Sequence, residues 1–233
     1  AEAEPLMERV VSIFETAYGP EHPKVATALN NLATLLHNTN RYAEAEPLMR
    51  RALGIDEASY GPEHPDVARD LNNLAWLLQN TNRHAEAEPL YRRALGIDEA
   101  SYGPEHPDVA RDLNNLAQLL QATNRLAEAE PLMERVVSIF ETAYDPEHPN
   151  VATALNNLAL LLQATNRLAE AEPLMRRMVK ILLNFTRRTG HPHPHLQAAI
   201  GNYFGLLKEM GHTEEAIQQR VEELRAEVEA APV

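Results

Sequence analysis

Asn30-Asn31-Leu32-Ala33 is the stretch that decides the fold, because it returns as Asn72–Ala75, Asn114–Ala117 and Asn156–Ala159, each copy 42 residues after the last. A second string, Ala-Glu-Ala-Glu-Pro-Leu, starts at Ala1, Ala43, Ala85, Ala127 and Ala169 with the same spacing. A fixed period of this size means stacked supersecondary units, each burying its apolar face on its neighbours, rather than one globular core.

Working outward from Asn30-Asn31-Leu32-Ala33, each unit reads as two helices. Val25, Leu29, Leu32 and Leu36 recur at spacings of four, three and four, which is one face of an amphipathic helix. His22-Pro23 marks its start, since a first helical position has no partner for its N–H and tolerates proline. Asn40 marks its end, with Asn82, Asn124 and Asn166 at the same place and Gly211 in the last unit. Asn and Gly share a tolerance of left-handed backbone, so this slot is a helix C-terminal turn. The second helix is expected from about Ala43 to Ser59, with Ala45, Leu48, Met49, Ala52 and Ile55 as its buried stripe. Pro47 lies early in it, where at most one backbone hydrogen bond is lost. Tyr60-Gly61-Pro62-Glu63-His64-Pro65 then breaks the helix.

The expected organisation is a single all-α array of eleven helices. Residues 1–18 are the second helix of a truncated repeat, followed by repeats 19–60, 61–102, 103–144 and 145–189 and a divergent capping repeat, 190–233. The last unit gains three residues between Ile181 and Leu196 relative to Ile139–Val151, and its final helix sets Ile217, Val221, Leu224 and Val228 on one side. A one-sided terminal helix is how a solenoid stops stacking. The chain opens inside a unit, so a longer array is expected upstream, with Leu6, Val10, Ile13 and Phe14 exposed and available for end-to-end self-association.

Composition narrows the function. There are no cysteines, which excludes disulfides and thiolate metal sites. A net charge of −13 with three lysines repels phosphate backbones, so no nucleic acid is expected. No apolar run approaches the roughly 20 residues that span a bilayer, and no signal peptide is visible, so a cytoplasmic protein without membrane contact is expected.

Leu29, Leu32, Ala33, Leu36, Asn40, Ala45, Met49 and Ala52 have the spacing of the tetratricopeptide repeat signature, with Asn40 in its turn-glycine slot. The longer second helix and the Gly-Pro-Glu-His-Pro loop make the repeat similar to the 42-residue kinesin light chain class. The resemblance implies a right-handed superhelical solenoid of antiparallel helix pairs, whose first helices line a concave groove that docks peptides or proteins. On a helical wheel at about 100° per residue, Thr27, Asn31, Thr34 and Asn38 lie opposite the packing stripe, and the resemblance makes their slots the groove lining.

Two features of that lining invite a partner. Asparagine fills one slot in all five units (Asn31, Asn73, Asn115, Asn157, Asn202), and an amide ladder can both donate to and accept from an extended backbone. The alternative is that these amides tie neighbouring repeats together. Adjacent slots vary instead: Thr34, Trp76, Gln118 and Leu160 share one, and Thr27, Arg69, Arg111 and Thr153 another. Trp76 is the only tryptophan, and aromatic and Arg anchors are enriched at interaction hot spots; it either anchors a ligand or folds against the next unit. Arg69 and Arg111 could grip a carboxylate bidentately. Yet each precedes an Asp (Asp70, Asp112) that is absent where the slot holds Thr, so an internal pair is at least as plausible.

The loop histidines His22, His64, His106 and His148 supply one donor per repeat, too few for a metal site. His191, His193 and His195 alternate with proline in an extended run that could chelate a divalent ion, but they read first as an ordinary loop into the last unit, so no metal is expected. No phosphate loop, nucleophile elbow or zinc-protease motif is present, so no enzyme and no cofactor are expected. Three function classes follow: a groove-binding scaffold for a peptide or protein, a self-associating structural array, or a regulatory or sensor segment of a larger multidomain signalling protein.

Overall fold

A computed structural model describes residues 3–230; the first copy of the Ala-Glu string therefore begins outside the described residues. Eleven α-helices follow one another, with no strand among the described residues: α1 (Ala3–Tyr18), α2 (Pro23–Asn38), α3 (Tyr42–Tyr60), α4 (Pro65–Asn80), α5 (His84–Tyr102), α6 (Pro107–Ala122), α7 (Leu126–Ala143), α8 (Pro149–Ala164), α9 (Leu168–Thr189), α10 (Leu196–Glu209) and α11 (Glu214–Ala230). They fall into two compact units, Ala1–Leu119 and Leu120–Val233.

The helix starts are built by the loop histidines. His22 Nδ1 accepts the Lys24 N–H at 3.1 Å, and His64, His106 and His148 accept the amide two residues on in the same way. This is the N-cap task usually given to Ser or Asp, here done by imidazole beside a proline that has no N–H to satisfy. Tyr60 stacks on His64 with ring centroids 4.5 Å apart, and Tyr102–His106 and Tyr144–His148 repeat the pair. These residues are thus helix hardware, which sequence reading left without a role.

The expected turn is observed. Asn40, Asn82, Asn124 and Asn166 have φ of 60°, 61°, 58° and 59°, and the following N–H reaches back to the helix, as in Arg41 to the Leu36 carbonyl at 2.9 Å. This closes the orphan carbonyls left by every helix end. Gly211, at φ 87°, does the same before α11.

In the first unit α2 packs on α3, α4 on α5, and α1 and α3 pack on the first helix of the following repeat. Val25, Leu29, Leu32, Ala33 and Leu36 are buried, as are Ala45, Met49, Ala52 and Ile55. Leu48 is only half-buried; its equivalent Leu90 packs at the rim of the cluster formed by Val67, Ala68, Leu71, Ala94 and Ile97. Exposed ion pairs link second helices of successive repeats, including Arg41–Glu4 at 2.6 Å and Arg83–Glu46 at 2.6 Å. Exposed pairs of this kind contribute little to stability, because water and salt screen them.

In the second unit the three extra residues lengthen α9, which runs to Thr189 before Gly190 turns the chain at φ 72°. Ile217, Val221, Leu224 and Val228 of α11 are buried, with Glu and Gln on the outer side.

Candidate functional site

The slots opposite the packing stripe remain accessible on the first helices. In the first unit they meet at a hollow of about 340 Å³ lined by Arg69, Asn72, Asn73, Trp76, Arg111 and Asn115. Five of the ten sequence-nominated residues are therefore brought together there: Arg69, Asn73, Trp76, Arg111 and Asn115. Asn31 and Gln118 lie exposed on the same unit outside the hollow.

Trp76 does two things at once. Its ring stacks on His37 of the preceding repeat, with centroids 3.5 Å apart and planes 25° from parallel, yet 42% of the residue stays exposed. His37 is itself buried, T-stacked on Tyr42 and held through Nε2 by Asn80 Nδ2 at 3.0 Å. Desolvation pushes the His37 imidazole below its ordinary pKa, so its neutral form carries the stack. The indole is thus held against the preceding repeat.

The asparagine slots divide. Asn115 Nδ2 reaches Asn72 Oδ1 at 3.4 Å, and in the second unit Asn202 Nδ2 donates to Asn156 Oδ1 at 2.8 Å, so these two amides tie neighbouring repeats. Asn157 Oδ1 accepts from Asn156 at 3.4 Å. The carboxamides of Asn31 and Asn73 have no hydrogen-bonding partner among the described residues. Leu160 is 40% exposed. A separate hollow of about 190 Å³ between α8, α9 and α10 includes Asn156, His193 and Asn202.

Both arginines are engaged internally. Arg69 Nη1 lies 2.5 Å from Asp66, while its Nη2 lies 3.2 Å from Asp56 and 3.1 Å from Asp70. Arg111 repeats this with Asp108 at 2.7 Å, Asp98 at 3.2 Å and Asp112 at 3.4 Å. Sequence reading saw Asp70 and Asp112 but missed Asp56 and Asp98, each 14 residues earlier. A signal existed: they stand where α1 and α7 carry Phe14 and Phe140. Asp70 and Asp112 are fully buried, and burial is the largest cause pushing their carboxyls up to about 7.

The tetratricopeptide repeat family model matches residues 1–58, 35–100, 81–142 and 113–184, which together span most of the chain. The chain belongs to the tetratricopeptide repeat family. Among solved structures, a chain of nearly identical TPR-like repeats from Podosopora anserina, assigned to the kinesin light chains, is 26% identical, with a TM-score of 0.72 over 90% of this chain and 97% of that one. BtubC (BKLC) from P. vanneervenii is 23% identical with a TM-score of 0.77, covering 99% of this chain and 92% of that one. PilF from Pseudomonas aeruginosa, 20% identical with a TM-score of 0.60 over 89% and 78% of the two chains, shares the fold. No curated protein matches in sequence. The repeats are therefore tetratricopeptide repeats of the kinesin light chain-like class, a scaffold type that serves protein–protein interaction. No helix among the described residues is long and apolar enough to cross a membrane.

Proposed function

We propose that this tetratricopeptide array binds an extended segment of a partner protein along its first-helix face, with Trp76 as the anchor. The observation that carries the reading is the indole itself: preset on His37, 42% exposed, and opening onto the same hollow as Asn73 and Asn115. The Asn73 amide is free to pair with a peptide backbone, which gives affinity without reading side chains. Asn31, on the same unit, extends the contact face; in the second unit Asn157, Leu160 and Asn202 occupy the equivalent slots of that unit's own first helices. Gln118, in the Trp76 slot of the next repeat, and the variable positions around it select among partners. Arg69 and Arg111 form walls whose charge is already balanced by aspartates, so they shape the site more than they attract a carboxylate.

Because Trp76 is the sole tryptophan, its fluorescence reports on the site directly. Peptides selected from a displayed random library should shift its emission in a saturable way, and Asn73→Ala with Asn115→Ala should weaken all of them. Selected peptides that bind without disturbing Trp76 emission would overturn the reading.

A second reading, self-association through α1, rests on the exposure of Leu6 (64%), Ile13 (51%) and Val10 (40%); on α3 the equivalents of Val10 and Ile13, Ala52 and Ile55, are buried and that of Leu6, Leu48, is half-buried.

A further inference from the structure

Two pairs of aspartates are buried at successive repeat junctions of the first unit, and neither serves the groove directly. Asp56 (1% exposed) on α3 meets Asp70 (0%) on α4, and Asp98 (2%) on α5 meets Asp112 (0%) on α6. Each pair shares a single guanidinium, Arg69 or Arg111, which also balances Asp66 or Asp108. One arginine against three carboxylates leaves two negative charges at each junction if all are ionised, and the low-dielectric interior makes such a charge excess costly.

The oxygens show how this is resolved. Asp70 Oδ1 accepts from Asn30 Nδ2 of α2 at 2.8 Å, and Asp112 Oδ1 accepts from Asn72 Nδ2 of α4 at 2.8 Å. Asp56 Oδ1, Asp70 Oδ2, Asp98 Oδ1 and Asp112 Oδ2 are buried with no hydrogen-bond partner among the described residues. Both carboxyls of each pair instead converge on one guanidinium: Asp56 Oδ2 and Asp70 Oδ1 lie 3.2 Å and 3.1 Å from Arg69 Nη2, and Asp98 Oδ2 and Asp112 Oδ1 lie 3.2 Å and 3.4 Å from the Arg111 guanidinium. Ionised carboxylates are acceptors only, so a proton held between the two supplies the donor that their unpartnered oxygens lack and removes one of the excess charges. No group of three potential metal ligands surrounds either pair among the described residues.

The repeats supply an internal control. The three positions read Asp56/Arg69/Asp70 and Asp98/Arg111/Asp112 in two repeats, but Phe14/Thr27/Ala28 and Phe140/Thr153/Ala154 in two others. The fold therefore accepts an apolar junction at this place, and the acid triplet is a replaceable feature of these two junctions.

We infer that each buried aspartate pair holds one shared proton in the folded chain, making these two repeat junctions a pH-sensitive element that loosens as pH rises through neutrality. Burial pushes Asp70 and Asp112 up to about 7 and raises Asp56 and Asp98 as well. The groups facing the first pair are Arg69, Asp66 and His64 from α4 and its cap, with Asn30 from α2. Those facing the second are Arg111, Asp108 and His106, with Asn72 from α4; Tyr102 lies near Asp98 as well. A carboxyl whose folded pKa is raised contributes stability that is present in full below the unfolded value and is lost as pH climbs through the folded one. Lowered Glu44, Glu46 and Glu86 act with the opposite sign, but in acid. His37, lowered by burial, also opposes the effect near pH 6 and is left unchanged in the variants below.

The test is guanidinium unfolding of the full chain between about pH 5 and pH 8.5. The folding constant should fall by up to about tenfold per pH unit for each pair that loses its proton. Rewriting both junctions in the Phe/Thr/Ala form of the other repeats (Asp56→Phe, Arg69→Thr, Asp70→Ala and their counterparts at 98, 111 and 112) should abolish that slope. Asp56→Asn with Asp98→Asn, which supplies the hydrogen permanently, should do the same. Infrared difference spectra give an independent reading on the unaltered chain, where a protonated-carboxyl carbonyl band should persist at pH 6 and disappear by pH 8.5. A wild-type slope no steeper than that of the rewritten chain, or no such band at pH 6, overturns the inference.

Discussion

Replacing Trp76 by Ala separates anchoring from packing in one protein. An aromatic side chain carries about 150–250 Å² of surface, and Trp76 keeps 42% of its surface exposed while the rest is covered, chiefly by its own helix and by His37. The exposed portion is thus about 100 Å². Covering it with a partner at about 25 cal/mol per Å² is worth about 2.5 kcal/mol. Ala should therefore weaken a selected peptide by about 2 kcal/mol or more, roughly thirtyfold. The folded chain loses the His37 stack, worth about 0.5–1.5 kcal/mol beyond area, and the covered area partly refills, so stability should drop by about 1–2 kcal/mol. Titration calorimetry with a library-selected peptide and guanidinium unfolding on the same sample give both numbers. A Trp76→Ala chain that unfolds earlier yet binds its peptide with unchanged Kd would refute the anchor and leave Trp76 as a packing residue only.

Three further outcomes are expected. Leu71→Ala, at a fully buried site facing Ala94 and Ile97, should cost about 2–5 kcal/mol in guanidinium unfolding; a loss below 1 kcal/mol would mean that this junction is not part of the cooperative core. Asn82→Ala, at φ 61°, should cost about 1 kcal/mol while Asn82→Gly is nearly neutral, and equal effects would contradict the left-handed turn. Leu6→Glu should abolish concentration-dependent mass in analytical ultracentrifugation if α1 mediates self-association, and a strict monomer before substitution rules that contact out.

The helices, their order and their punctuation were all readable from sequence, because each depends on chemistry within a few residues. Leu29, Leu32 and Leu36 share a face by helical periodicity alone, and Asn40 announces its left-handed turn through the tolerance of one residue type. The 42-residue period then made every local signal repeat, which is why the eleven helices and the tetratricopeptide family were legible without coordinates. Even the capping of α2 by His22 was half-legible: Pro23 marked the start, but an imidazole acceptor is not the usual N-cap group.

What the tertiary structure alone decided are the partners of side chains that could have faced either way. Arg69 looked able to meet a ligand carboxylate, yet Asp56 arrives beside it from the preceding helix, and that meeting depends on how α3 crosses α4. Trp76 looked exposed and is in part; its stack on His37, 39 residues earlier, requires two first helices to lie side by side. Whether Asp70 is an ordinary surface acid or a fully buried one with a raised pKa is set by desolvation and by an opposing carboxyl. Both are properties of the assembled interior, where neighbours remote in sequence replace water, and no local pattern in the chain encodes them.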